Sequence, residues 1–138
     1  MLFRSIDQVG RPVIGIGQAA YHWASLRSQR FVVLTTLAVS VPVIRESIQR
    51  QGFESYCLDV VASGIPVLEL ERAPEESLRI LNDCIRNIVY KHSENVAIIL
   101  GCAGMTDLYT DLVGQWDSLT IIDPVAAGLQ LSSVLCHG

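Results

Sequence analysis

The stretch Val96-Ala-Ile-Ile-Leu-Gly-Cys-Ala-Gly-Met105 decides the fold. Its first five residues are apolar on both alternating faces, which predicts a short strand buried on both sides. Gly101 breaks the run, and a helix is predicted to begin near Ala103. A buried strand that passes into a helix through small residues is the repeating unit of a parallel α/β sheet. In such sheets ligands bind beyond the carboxyl ends of the strands, where Cys102 stands.

The same alternation continues outward. Downstream, Leu119–Ile122 predicts a strand and Pro124–Leu135 a helix. Upstream, Pro12–Ile16 predicts a strand, Gln18–Ser28 a helix and Phe31–Leu34 another buried strand. Ser40 and Pro42 open a helix through Arg50, which Gly52 ends. Leu58–Val61 and Pro66–Leu70 are predicted as two extended pieces broken by Ser63-Gly64, one of them at most central in the sheet. Ala73-Pro-Glu-Glu76 places acids in the first turn of a helix reaching Lys91, with Leu78, Leu81, Ile85, Ile88 and Val89 at spacings of three and four. The predicted fold is α/β: a mainly parallel sheet of four to five strands with helices on both faces, all in one domain over residues 1–138. The last helix carries no charge around its circumference, so burial on more than one side is expected of it, in part by something outside this chain.

Half of the 138 residues are apolar and 17% are charged, with a net charge of −4. That balance argues against nucleic acid and anionic membrane surfaces as partners. The longest uncharged segments, 31–44 and 124–138, are too short to span a bilayer. Met1–Gly10 contains Arg4 and Asp7 and no apolar centre, so no signal peptide is expected there, and reduced thiols in the cytoplasm are the expected state. Cys57, Cys84, Cys102 and Cys136 include no C-x-x-C pair, so neither zinc nor another metal nor dithiol redox chemistry is expected.

Cys102 is the strongest chemical candidate. The start of a helix offers unpaired N–H groups and the positive end of a dipole, both of which favour a thiolate. Gly101 and Gly104 let a small substrate approach the backbone closely. The structural alternative is a small residue at a tight strand–helix junction. Cys57 and Cys84 fit small core residues better, and Cys136 lies in the final residues. His22 fits a packed or surface position, Asp107 and Asp111 a solvated helix face, and Asp123 a turn.

Four segments, Gly15-Ile-Gly-Gln-Ala-Ala-Tyr-His22, Val33-Leu-Thr-Thr-Leu37, Gly101-Cys-Ala-Gly-Met105 and Ile122-Asp-Pro-Val125, stand in the order and spacing found in one family. Together they resemble the second half of the Asp/Glu/hydantoin racemases, closest to the hydantoin and allantoin members. The resemblance implies two pseudo-symmetric α/β lobes with the active site between them and one acid/base cysteine from each lobe. Cys102 corresponds to the second cysteine. Thiol and thiolate on opposite faces of a stereocentre can remove and return a proton without a cofactor. By the same resemblance Thr35 and Thr36 line the pocket, and backbone donors at Ala103 and Gly104 hold the developing enolate oxygen. The expected substrate is a small molecule of the hydantoin or allantoin class, and self-association is common in the family.

Two departures stand out. The family's first cysteine precedes the segment matching Arg11-Pro12, where this chain has ten residues and no cysteine. The first lobe, with the partner acid/base, is therefore expected to be absent from this chain, and with it half of the pocket. Many relatives also carry glutamate where this chain has Gln18.

Two other functions compete. Gly15-x-Gly17-x-x-Ala20 matches a dinucleotide fingerprint in a strand-to-helix context. The acid expected at the end of the second strand is replaced by Thr35 and Thr36, and the nearest acid, Glu46, falls inside a helix. A lone half is alternatively an inactive truncated remnant, or an interaction module that pairs with another chain.

Overall fold

The computed structural model describes residues 16–27, 29–93 and 95–137. Its elements are α1 (Ile16–Leu26), β1 (Phe31–Thr35), α2 (Val41–Arg50), β2 (Cys57–Ala62), α3 (Val67–Arg72), α4 (Pro74–His92), β3 (Ala97–Leu100), α5 (Tyr109–Gln115), β4 (Thr120–Ile122) and α6 (Pro124–His137), with a 3-10 turn over Ala103–Leu108. The strands form one sheet in the order β2-β1-β3-β4, and every pairing is parallel. The predicted strand at Pro12–Ile16 lies outside the described residues except at its last position, where Ile16 already opens α1.

The period-two geometry of strands sorts the core into two layers. Val32, Leu34, Ile98, Leu100 and Ile121 face one side, where they meet Leu81, Ile85 and Ile88 of α4 together with Met105, Leu108 and Leu112. Phe31, Val33, Ala97, Ile99 and Ile122 face the other, against Ala19, Ala20, Tyr21 and Ala24 of α1, Ile48 of α2 and Ala127 of α6. β1 and β3 are buried along their whole length, which is why they read as uninterrupted apolar runs. β2 has buried Val60 and otherwise half-buried residues, consistent with its place at the edge.

The structure corrects the reading of Pro66–Leu70. It is not extended: Val67–Arg72 is a short helix that buries Leu70 and leaves Val67 and Leu68 in solvent. Bonds from the residues that follow it close it. The Ala73 N–H and the Ser77 hydroxyl both donate to the Glu69 carbonyl, at 2.8 and 3.0 Å. Pro66 stays extended just ahead of the helix. The helix expected at Ala103 begins later, at Tyr109, because the six residues after Cys102 form a tighter 3-10 turn. Gly52 ends α2 with φ +83°, a conformation that suits glycine.

α6 packs on α1 through small residues: Ala127 and Gly128 are buried against the side holding Ala19, Ala20 and Ala24. Leu129 is 69% exposed, so the charge-free helix is covered here on one side rather than all round. No helix among the described residues is long and apolar enough to cross a membrane.

Burial pushes the Cys57 and Cys84 thiols and the Tyr21 phenol above their ordinary values. Each is held neutral in the fold but ionises at its ordinary value once unfolded. The stability this supplies is complete below the ordinary thiol range and is lost as pH rises past it. Urea midpoints are therefore expected to fall above about pH 8.5, and Cys84→Ala should flatten that decline.

Candidate functional site

Leu100 ends β3, and the chain leaves the sheet through Gly101 and Cys102. The Gly101 N–H still donates to the Leu34 carbonyl at 2.7 Å, which holds the junction against β1. A Cβ at residue 101 would lie 2.8 Å from Val33 Cγ1 and 3.2 Å from both the Leu34 carbonyl oxygen and Thr35 Cβ. Only glycine fits. Gly101→Ala is expected to cost about 1–3 kcal/mol in urea unfolding, since backbone and two packed side chains would have to move.

Cys102 is extended (φ −142°, ψ 131°) and half-buried, and its carbonyl accepts the Met105 N–H at 3.0 Å to close the first 3-10 turn. Met105 and Leu108 are buried in the core and anchor that turn, while Ala103 and Gly104 face solvent. Gly104 is close to the sulfur. A Cβ there would stand 3.6 Å from Cys102 Sγ, 3.2 Å from Leu70 Cδ1 and 3.7 Å from Val67 Cγ1. The unexpected α3 helix is thus the neighbour that backs the cysteine turn.

A cavity of about 340 Å³ opens at this end of the sheet, with Cys102, Ala103 and Gly101 on one wall. Gly17 and Tyr21 of α1, Pro124 at the start of α6, and Val43, Ile44 and Ser47 of α2 also line it, over a floor of sheet residues Val33, Ile99 and Leu100. The quoted sequence segments contain Gly17, Tyr21 and Pro124. Val43, Ile44 and Ser47 were not foreseen, since an ordinary amphipathic helix carries no local sign of which cavity its upper edge meets. The Tyr21 ring stacks on Phe31 at 5.3 Å, and its hydroxyl, near the Ser47 side chain, stands over Gly17. The cavity is therefore apolar with a small hydroxyl patch.

Thr35 and Thr36 end β1 at the same end of the sheet, but both are buried and neither lines the cavity as it stands. Their carbonyls accept the Ser63 and Gly64 N–H groups at 2.8 and 2.7 Å. Thr35 reaches the site through Gly101, whose backbone it packs against. Cys57 and Cys84 lie in other regions of the fold, beside Asp59 and the core under α4. His22 packs edge-on against Phe53. Asp123 is more than a turn residue: it is 7% exposed and accepts hydrogen bonds from the Thr106 hydroxyl and the Val125 N–H. Among the described residues no group of three or more His, Cys, Asp or Glu side chains could hold a metal ion.

A larger groove of about 460 Å³ follows β4, lined among others by Trp23, Arg27, Asp117 and Gln130. It does not include Cys102. The smaller cavity is the better candidate because it joins a half-buried thiol, exposed backbone and an apolar wall at the carboxyl end of a parallel sheet.

The chain spans about half the length of the relatives it matches. It is 40% identical over 126 residues to a hydantoin racemase of Rhizobium meliloti, covering 90% of this chain and 51% of that protein. It is 28% identical to a hydantoin racemase of Pseudomonas sp. (strain NS671), covering 91% and 49%. Among solved structures, allantoin racemase from Klebsiella pneumoniae superposes with a TM-score of 0.78 at 32% identity, over 91% of this chain and 51% of that one. Allantoin racemase from Pseudomonas fluorescens does so with a TM-score of 0.80 at 29% identity, over 91% and 53%. The family signature of the Asp/Glu/hydantoin racemases matches residues 6–132, nearly the whole sequence, and the chain belongs to that family.

Proposed function

We propose that this chain forms one lobe of a cofactor-independent racemase acting on hydantoin- or allantoin-like substrates, with Cys102 as one of two acid/base groups. The observation that carries the reading is the position of Cys102: a half-buried thiol in a cavity at the carboxyl end of β3, beside an exposed turn. The opposite group and the other half of the pocket belong to a second lobe that these 138 residues do not include.

Inverting a stereocentre next to a carbonyl requires a base on one face and an acid on the other. Cys102 takes the C5 proton of a hydantoin ring as thiolate or delivers it as thiol. The carbanion delocalises into the adjacent carbonyl, and the backbone N–H groups of Ala103 and Gly104 are the donors for the enolate oxygen. Thr35, buried beneath Gly101, fixes the junction that carries the thiol. Val43 and Ile44 receive the 5-substituent, so an aliphatic group suits the wall better than a ureido group.

Deuterium exchange at C5 of a 5-alkylhydantoin, followed together with optical rotation, tests this. Exchange that disappears in Cys102→Ser, without inversion, is the expected result for a single lobe. No exchange above buffer would overturn the reading and favour a module whose role is to bind another chain. The exposed Leu37, Val39, Val67 and Leu68 at the same end of the sheet would then be its contact surface.

A further inference from the structure

We propose that Asp123 is a positioning residue, whose carboxylate clamps the turn carrying Cys102 to the start of α6, whose first residue, Pro124, lines the same cavity. The inference rests on the reading of Cys102 as the reacting thiol. Asp123 stands between β4 and α6 and is 7% exposed. One oxygen, Oδ1, accepts both the Thr106 hydroxyl and the Val125 N–H, each at 3.1 Å. The Asp123 carbonyl also accepts the Ala127 N–H at 3.0 Å, so the residue caps α6 with its backbone and its side chain.

Capping alone does not account for the arrangement. The Val125 bond by itself would satisfy the helix terminus. The second bond leaves the helix altogether and crosses to Thr106, seventeen residues back in the chain. Thr106 lies within the 3-10 turn that begins when the Cys102 carbonyl accepts the Met105 N–H and ends when the Thr106 carbonyl accepts the Tyr109 N–H. Pro124, next to Asp123, lines the same cavity as Cys102 and Ala103. One carboxylate oxygen therefore ties together the turn and the helix start, both of which contribute residues to the cavity that holds the thiol.

The need for a clamp follows from the turn itself. Six residues of 3-10 helix have poorer hydrogen-bond geometry than an α-helix and hold a side chain less firmly. Met105 and Leu108 fix the turn from beneath, through apolar packing that resists lifting more than sliding. The Thr106 hydroxyl donates to Asp123 Oδ1, and that bond sets the lateral position of the turn.

Alkylation of individual cysteines by iodoacetamide, resolved by peptide mass mapping, reads the clamp without turnover. In Asp123→Ala and in Thr106→Val, Cys102 should react about three- to tenfold faster, the loss of roughly one hydrogen bond. Cys57 and Cys84 should keep their rates. Asp123→Asn retains an oxygen for both donors and should return Cys102 close to its original rate. The double variant should match Asp123→Ala, because both changes remove the same contact. An unchanged Cys102 rate overturns the clamp. So does a joint acceleration of all three cysteines, which marks general loosening, or a failure of Asp123→Asn to rescue. The racemase reading is decided separately by C5 exchange, so the two can fail independently.

Discussion

Replacing Cys102 with serine is expected to lower C5 deuterium exchange of a 5-alkylhydantoin by a factor of about 10²–10⁴, the range that a positioned acid/base contributes. Serine keeps the size and most of the packing, so the substitution isolates proton-transfer chemistry from structure. A hydroxyl is a far weaker acid than a thiol, and little of it is available as base near neutral pH. Two further variants sharpen the test. Cys84→Ala should leave exchange unchanged, since Cys84 is half-buried against the α4 core, away from the Cys102 cavity. Gly104→Ala should slow exchange while keeping the thiol, because its Cβ would stand 3.6 Å from Cys102 Sγ and crowd Leu70 at 3.2 Å. Equal exchange in Cys102→Ser and the parent would remove Cys102 from the mechanism.

Truncation of Ile85 to alanine is expected to cost about 2–5 kcal/mol, the largest stability effect foreseen for a single side chain here. Ile85 is fully buried on α4, within the layer formed by Val32, Leu34, Ile98 and Leu100. Its neighbours on the sheet are themselves held by parallel pairing and cannot collapse inward to fill the space. Tyr90, five residues further along the same helix, is 94% exposed, and Tyr90→Ala should change the urea midpoint little. A small loss in Ile85→Ala would mean that α4 adjusts on the sheet more freely than a close-packed layer allows.

These effects also mark what could be read without coordinates. β1 and β3 stood out because Phe31–Leu34 and Ala97–Leu100 are apolar without interruption, as strands buried on both faces require. α4 stood out because Leu81, Ile85 and Ile88 recur on one face and acids occupy its first turn. Gly101 and Cys102 stood out because a strand-to-helix turn between small residues has few alternatives. Pro66–Leu70 misled for the complementary reason. Five residues hold too little periodicity to separate a strand from one and a half turns of helix, and burial of Leu70 and the Ser77 bond to Glu69 decide the outcome.

The amino-acid order by itself determined the α/β alternation, the two-layer core, the family and the candidate thiol. Each is written in local spacing: which residues are apolar, at what period, and where small residues interrupt them. Only the tertiary structure decided that α3 backs the cysteine turn, that Val43, Ile44 and Ser47 close the cavity, and that Asp123 reaches Thr106 across seventeen residues. Periodicity records that a face is buried, but the identity of the group it meets is set by packing between segments far apart in the chain, and no local pattern carries that information.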